Sequence, residues 1–319
     1  MRAEPWLSWA SGAAILLSSA SAAAYCRTTT CDVNDPDVTC ERTDDGCAIP
    51  DATDTFELYW PSGCSWWGVQ KDGSAKRQIS YDSAHTIIGR SLARWLDADC
   101  GGAQHPAVAL EDTDALFGPV ECRDQEFNKE EGANANAWIF RDTDWPYQGQ
   151  SSTLALTTVT VSMRDGRMLD ADVEINSFAA ALTDDGTNGQ IDLEAITTHE
   201  AGHFLGLAHS PLGSSTMFAS YSGVEQQSLE ADDVQGICAI YPPGSPAGCE
   251  QPSPLYGFSL HCGGVDPEIG PAPSARNEGS SRDGSCSVGV RATSAPRSLA
   301  STMALALVAL AARRRRRTA

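Results

Sequence analysis

The clearest helical pattern of the chain lies in residues 80–100, "SYDSAHTIIGRSLARWLDADC". Apolar side chains recur there at spacings of three and four and would share one helix face: Ala84, Ile87, Ile88, Leu92, Trp95 and Leu96. Ser80 or Asp82 can cap the N-terminus of this helix. We therefore predict that a globular part begins near Leu58 and that its first helix fills most of this stretch.

Strand-like segments follow the helix. "HPAVAL" (105–110) and "NAWIFRD" (136–142) are short candidates, and residues 154–176 form two β-rich runs. The sequence Arg164-Asp165-Gly166-Arg167 separates these runs, and Asp-Gly is a favoured hairpin turn. The pattern predicts a β-hairpin centred there.

Two further helices are predicted after a polar, glycine-rich loop at 177–190. The first lies in "IDLEAITTHEAGHFLGLAH" (191–209), where Asp192 is the predicted N-cap and the helix is predicted to end at Gly206. The second lies in "EADDVQGICAIYP" (230–242), which ends at two prolines.

The N-terminal end predicts export. Residues 10–24, "ASGAAILLSSASAAA", are a short apolar run in which Ala22 and Ala24 fit a signal-peptidase site, so residues 1–24 are interpreted as a signal peptide. Residues 25–57 hold four cysteines among polar residues and are predicted to be a small disulfide-linked segment. A domain is predicted to follow at 58–243.

The C-terminal end predicts a linker and a tail. Residues 244–285 are rich in Pro, Gly and Ser, and residues 286–319 contain a cysteine, an apolar run and five terminal arginines. This tail resembles the MYXO-CTERM sorting segments of myxobacterial surface proteins, which implies retention at the cell surface, associated with the outer membrane. A plain short membrane anchor is the alternative. We expect contact with a membrane through this segment alone.

Charge and cysteine content agree with an exported protein. The chain has 22 Lys+Arg against 42 Asp+Glu, which argues against nucleic acid or an anionic membrane surface as a partner. It has 11 cysteines, and setting Cys286 aside leaves enough for five disulfides. We expect Cys64 to pair with Cys100, on either side of the first helix, and Cys249 to pair with Cys262.

Half of the six histidines of the chain lie in "HEAGHFLGLAHS" (199–210). On a helix, His199 and His203 face the same way and can bind one ion. Gly206 permits a sharp turn that brings His209 round as a third ligand. Three protein ligands and one open position are typical of a catalytic zinc, and Glu200 is placed to act as the general base towards a zinc-activated water.

These residues match the metzincin signature H-E-x-x-H-x-x-G-x-x-H, and Met217, eight positions after His209, matches the spacing of the matrixins. The resemblance implies an α+β matrixin-like fold: a twisted mixed β-sheet, an active-site helix and a C-terminal helix. It also implies that Met217 forms the floor beneath the metal. Tyr221 would help to wall the S1′ pocket, although Ala219 stands where the family has proline.

The resemblance also assigns "TTVTV" (157–161) to the edge strand that binds an extended substrate, and we take Thr158 as its substrate-binding residue. Asp232 and Asp233 would anchor the base of the site through hydrogen bonds. We expect one zinc and no second zinc site. Calcium is common in the family, and candidate oxygen ligands are Asp184, Asp185, Asn188, Asp170 and Asp172; ordinary turns are the alternative.

The sequence thus predicts a secreted or surface-retained zinc endopeptidase that acts on protein or peptide substrates. Two alternatives stay open: a catalytically silent metzincin-like binding module, and a zinc hydrolase of a non-peptide substrate. The family's propeptide cysteine motif is absent. One of Cys26, Cys31, Cys40 and Cys47 could cap the zinc instead, although disulfide pairing is the alternative for all four.

Overall fold

A computed structural model describes residues 24–31, 40–50, 55–125, 127, 135–147, 149–187, 190–244, 249 and 285–293. Residues 1–23 of the predicted signal peptide, most of the linker and the terminal arginines lie outside these residues. Among the residues described, no helix is both long and apolar enough to cross a membrane.

One six-stranded sheet forms the centre of the fold. Its strands are β2 (Cys64–Val69), β3 (Ala109–Asp112), β4 (Ala137–Phe140), β5 (Thr153–Ser162), β6 (Met168–Ile175) and β10 (Ser285–Thr293). Their spatial order is β10-β5-β6-β4-β2-β3, and β5–β6 is the antiparallel pair among otherwise parallel neighbours. The predicted hairpin at 154–176 is confirmed, and so is the mixed sheet.

Two-residue strands complete the β structure. They are β1 (Cys26–Arg27), β7 (Leu182–Thr183), β8 (Ile191–Asp192) and β9 (Leu207–Ala208). The β1 strand pairs antiparallel with β9, and β7 pairs parallel with β8. The first of these pairs brings the cysteine-rich segment against the chain just after Gly206. The division of the chain at residue 57 remains a prediction.

The helices agree with the apolar periodicity. They are α1 (Tyr81–Leu96), a short α2 (Thr113–Phe117), α3 (Leu193–Phe204) and α4 (Ala231–Ile240). The Ser80 side chain accepts the Ser83 N–H at the start of α1, and Asp192 accepts the Ala195 N–H at the start of α3, as predicted.

The core lies between the sheet and the two long helices. Buried aromatic rings hold α3 in place: Trp95 of α1 donates its indole N–H to the Thr198 carbonyl at 2.8 Å, and Trp60 donates to the Phe204 carbonyl at 2.8 Å. Every residue of α3 is buried. A helix covered on all sides is held rigidly, which suits it to carry a geometrically demanding site.

The disulfides correct two sequence predictions. Cys64 bonds Cys249 and Cys100 bonds Cys238, so the expected pairs Cys64–Cys100 and Cys249–Cys262 are wrong. The reason is that β2 and the end of α1 lie beside segments far along the chain, which sequence proximity cannot show. Cys26–Cys47 and Cys31–Cys40 also pair, so none of these four thiols is free to cap a metal.

Candidate metal centre and active site

The helix α3 places His199 and His203 one turn apart, and their Nε2 atoms face each other at 3.1 Å. Gly206 then turns the chain at φ +102°, where a Cβ would meet the Leu58 carbonyl oxygen at 2.8 Å. This turn brings His209 back towards the helix. One ligand atom from each of the three histidines lies within 4.8 Å of the others.

The orientation of the rings is fixed by backbone carbonyls. The His199 Nδ1 donates to the Thr216 carbonyl at 2.6 Å, and the His203 Nδ1 donates to the Leu207 carbonyl at 2.8 Å. In a neutral imidazole this leaves both Nε2 atoms as acceptors. Hydrogen bonds of this kind to backbone carbonyls commonly fix the tautomer and the ring orientation of a metal-binding histidine.

Burial favours the neutral state that metal binding needs. It lowers the pKa of His199 to about 4 and holds the pKa of His203 well below its usual value, helped in the second case by the neighbouring histidines. Two acceptor nitrogens facing each other at 3.1 Å repel unless a cation lies between them. Tetrahedral zinc with ligand bonds of about 2.05 Å would space two nitrogens by about 3.3 Å. The donor set therefore fits zinc.

Glu200 is fully buried beside the histidine cluster, at the junction of α3 with β5. The Thr157 hydroxyl of β5 donates a short hydrogen bond to the Glu200 carboxylate. It also lies 3.5 Å from the Glu200 carbonyl oxygen. This contact fixes the carboxylate on the side of the helix that faces β5.

Sequence analysis missed Thr157 and chose its neighbour Thr158. Side chains alternate along a strand, so when Thr157 points towards α3, Thr158 points to the opposite face. Thr158 is buried opposite Asp172 of β6. Its assignment to substrate binding stays a prediction. In that prediction the backbone of Thr158, and not its buried side chain, would bind the substrate. Strand alternation separates the two faces of β5 but does not say which face meets α3, so the sequence held no signal that selects Thr157.

Met217 lies directly beneath α3. A Cβ added to Gly202 would approach the Met217 sulfur to 2.2 Å and the Trp95 ring to 2.8 Å, so the helix and the methionine are in close contact at this glycine. Met217 is buried, and its carbonyl accepts the Ser210 N–H at 2.8 Å. These contacts agree with a floor beneath the histidines.

The two aspartates at the start of α4 hold the segment that follows the histidines. Asp233 accepts the N–H groups of Thr216 at 2.8 Å and Met217 at 3.1 Å, as well as the Ser215 hydroxyl. Asp232 accepts the Ser210 hydroxyl at 2.7 Å and the Ala24 N–H at 3.0 Å. The base of the site therefore depends on α4 as well as α3.

Tyr221 lies at the opposite end of α3 from Gly206. Its hydroxyl accepts the Asp192 N–H at 3.0 Å, beside the N-cap, and burial raises its pKa. The side chain is only partly buried, so part of its ring faces solvent. Its role in a substrate pocket stays a prediction.

The predicted calcium ligands are engaged in local structure. Asp185 accepts the Thr183 hydroxyl and the Thr187 N–H and hydroxyl, which describes an ordinary turn. Asp184 accepts the Ser83 hydroxyl, and Asp172 accepts the Ala137 N–H. Asp170 is buried, and Asn188 lies outside the described residues. Calcium binding remains a prediction.

A second histidine–carboxylate group lies away from this centre. His85 Nε2 is 3.2 Å from Asp112 and 3.8 Å from Asp114. Both carboxylates accept other hydrogen bonds. Asp112 caps α2, and Asp114 accepts the Val69 N–H and the Tyr81 hydroxyl. These contacts give the group a structural role, in which it links α1, α2 and β2.

Comparison with known proteins shows similarity to one protease family over part of the chain. Residues 123–242 match the family model "Peptidase_M10: Matrixin". The chain is 32% identical over 103 residues to Metalloendoproteinase 1-MMP of Arabidopsis thaliana, covering 31% of this chain and 26% of that protein. It is 42% identical over 59 residues to Matrilysin of Rattus norvegicus (18% and 22%). It is also 33% identical over 115 residues to Neutrophil collagenase of Homo sapiens (34% and 23%).

The similarity has a limited span. The chain matches about a quarter of the length of these relatives, and the matched family region begins after α1 and β2. That region contains β5, α3, Met217 and α4. Matrixins are zinc metalloendopeptidases, and the three histidines, Glu200 and Met217 occupy the positions of their signature. The part of the chain that carries these residues, 123–242, is thus similar to the matrixin family of the metzincins.

Proposed function

We propose that this protein is a zinc-dependent endopeptidase that works outside the cell on protein or peptide substrates. His199, His203 and His209 would hold the zinc, and Glu200 would be the general base. The observation that carries the proposal is the pair of Nε2 atoms at 3.1 Å beside a fully buried glutamate. A bound zinc would lower the pKa of a water molecule and polarise the scissile carbonyl.

The chain's own residues would supply orientation and proton transfer. The carbonyls of Thr216 and Leu207 fix the imidazole tautomers. The Thr157 hydroxyl orients the Glu200 carboxylate, which would take a proton from water and pass it to the leaving amine. Met217 supports the helix from below through its contact at Gly202.

Export and surface retention belong to the same proposal. Four disulfides among the described residues agree with an oxidising compartment. The signal peptide at 1–24 and the sorting tail at 286–319 would supply the route, with residues 244–285 as the linker. Comparison of the mass of the exported protein with that of the full chain would test both segments.

Zinc content and casein cleavage test the catalytic proposal. We expect one zinc per chain and cleavage that stops on chelation. Glu200→Ala should keep the zinc and lose cleavage by at least about a hundredfold, the lower range for general acid–base catalysis. Glu200→Ala activity equal to that of the wild type, with contaminants excluded, would exclude Glu200 as the base.

The same assay separates the alternatives. A zinc-loaded wild type that cleaves neither casein nor unfolded peptides would favour a silent binding module or a hydrolase of another bond. A folded chain without zinc would contradict the proposed ligand set. The variant His203→Ala should lose zinc, because it removes one of three ligands that lie on rigid backbone.

A further inference from the structure

The strand β5 is paired on both sides. Along one edge it pairs antiparallel with β6, from Ala155 opposite Ile175 to Val161 opposite Met168. Along its other edge it pairs in parallel with β10, from Ser285 opposite Thr153 to Thr293 opposite Ser162. A distant segment of the chain, which begins at the last residue of the predicted linker and continues into the predicted sorting tail, therefore covers nearly the whole outer edge of β5.

This covered edge adjoins the proposed catalytic residues. Thr157 of β5 bonds Glu200 of α3, and Val288 of β10 is the pairing partner of Thr157. Some Cα atoms of β10 lie within 8 Å of Cα atoms of α3 itself. The backbone of β10 thus runs beside the helix that carries the metal ligands and the base.

We propose that residues 285–293 are an autoinhibitory strand, which occupies the β5 edge and excludes an extended peptide from it. An added peptide strand would need the same outward N–H and C=O groups of β5 that β10 already uses. Because the strand is tethered, it competes at the effective concentration of an intramolecular ligand, of order millimolar for a flexible linker. That the excluded ligand is a peptide substrate rests on the proposed function.

Two neighbouring proline substitutions in the full-length chain test the placement of the strand. Adjacent N–H groups of a strand point in opposite directions, so Val288 and Gly289 cannot both donate to β5. Proline removes the N–H. We expect one of Val288→Pro and Gly289→Pro to release β10, and the other, whose N–H faces away from β5, to serve as its matched control.

Hydrogen exchange reports release without any need for activity. In the releasing variant, alternate amides of β5 between 153 and 162 should lose at least about tenfold in protection, since they lose their partners. The amides of β6 should stay protected, which shows that the domain is still folded. Equal protection of β5 in both variants and the wild type would overturn the placement of β10.

Peptide binding then tests the inhibition itself. The probe is a fluorescent peptide of residues 285–293 carrying Cys286→Ser, and the proteins carry Glu200→Ala to prevent cleavage. The releasing variant should bind the probe at least about tenfold more tightly than the control variant and the chain without proline. Equal binding by all three would overturn the inference.

Casein kinetics on the Glu200-intact forms complete the test. A competitive strand raises KM, so release should lower KM while kcat changes less than about twofold. Release that leaves KM unchanged would overturn autoinhibition. Failure of all forms to cleave casein would contradict the proposed function, whereas the exchange and binding results would still decide whether the strand covers a peptide-binding edge.

Discussion

The carboxylate of Asp233 accepts the backbone N–H of Met217 at 3.1 Å, and thereby ties the last helix to the floor of the site. The same carboxylate accepts the Thr216 N–H, and the Thr216 carbonyl in turn orients His199. A single buried side chain therefore connects α4 to a proposed metal ligand through one residue. The metal geometry depends on a helix that supplies none of the ligands.

We predict that Asp233→Ala weakens both the fold and the zinc site. It leaves several buried donors without an acceptor, which should lower the free energy of unfolding by about 3 kcal/mol. Zinc affinity should fall by about tenfold or more, the range for lost outer-shell partners. Urea unfolding and zinc titration would measure the two effects.

The matched control for this variant is Asp72→Ala. Asp72 is an exposed aspartate that pairs with Arg123 at 2.8 Å, and such surface pairs contribute little. Zinc affinity of Asp233→Ala equal to that of the control would contradict the positioning role.

Gly202 is predicted to be intolerant of any side chain. Alanine normally favours a helix by about 1 kcal/mol over glycine. Here its Cβ would meet the Met217 sulfur at 2.2 Å and the Trp95 ring at 2.8 Å, so we expect Gly202→Ala to lower the free energy of unfolding by about 1–3 kcal/mol. Gly213→Ala, where nothing lies within 4 Å of the added Cβ, should be close to neutral. A stabilised Gly202→Ala protein would show that the contact at Met217 is loose.

Thr157→Val tests the orientation of the proposed base. The substitution keeps the shape of the side chain and removes the hydroxyl that donates to Glu200. We expect kcat for casein to fall by about tenfold, consistent with the loss of one hydrogen bond to a charged group. Zinc content should not change, because Thr157 bonds none of the histidines in the structure described.

Thr160→Val is the control for Thr157→Val, since its side chain lies on the opposite face of the same strand. It should leave kcat within about twofold of the wild type. Equal losses in both variants would point to a general effect on β5.

Asp114 should make stability depend on pH in an unusual direction. Burial raises its pKa to about 6, despite hydrogen bonds from Val69 and Tyr81 and the nearby His85. The folded state therefore holds a proton that the unfolded state releases near pH 4, so the contribution of this group to stability is present below pH 4 and is lost as pH rises through about 6.

The variant Asp114→Asn isolates this contribution, because it removes the titration. The Tm of the variant relative to wild type should rise between pH 4 and pH 7, as the wild type alone loses stability. Thermal unfolding of both proteins at several pH values measures the difference. A constant difference in Tm would mean that the pKa of Asp114 is not raised.

Local signals in the sequence were sufficient for the three longest helices, the β5–β6 hairpin and the set of proposed metal ligands. The apolar spacing in α1, the caps at Ser80 and Asp192 and the Asp-Gly turn between β5 and β6 all appear in the structure. His199 and His203 face one way because a helix repeats every 3.6 residues, whatever surrounds it. The three histidines, Glu200 and Met217 could therefore be proposed together from residues that lie close along the chain.

The sequence did not indicate which residues far apart along the chain lie in contact. Cys64 bonds a cysteine 185 positions away, and Cys100 one 138 positions away, where proximity along the chain favoured other pairs. Periodicity made both faces of β5 plausible, so it could not assign the contact with Glu200 to Thr157. It also gave no sign that residues 285–293 would pair with this strand.

The sequence by itself thus determined the three longest helices, the hairpin turn and the set of proposed zinc ligands, because each depends on residues that lie close together along the chain. Only the tertiary structure decided which elements adjoin: that α4 holds the floor through Asp233, that Thr157 orients Glu200, and that β10 covers the edge of β5. Those relationships arise from the packing of distant segments around one core. Local residue spacing shows which face of an element is buried, but it does not show which distant segment covers that face.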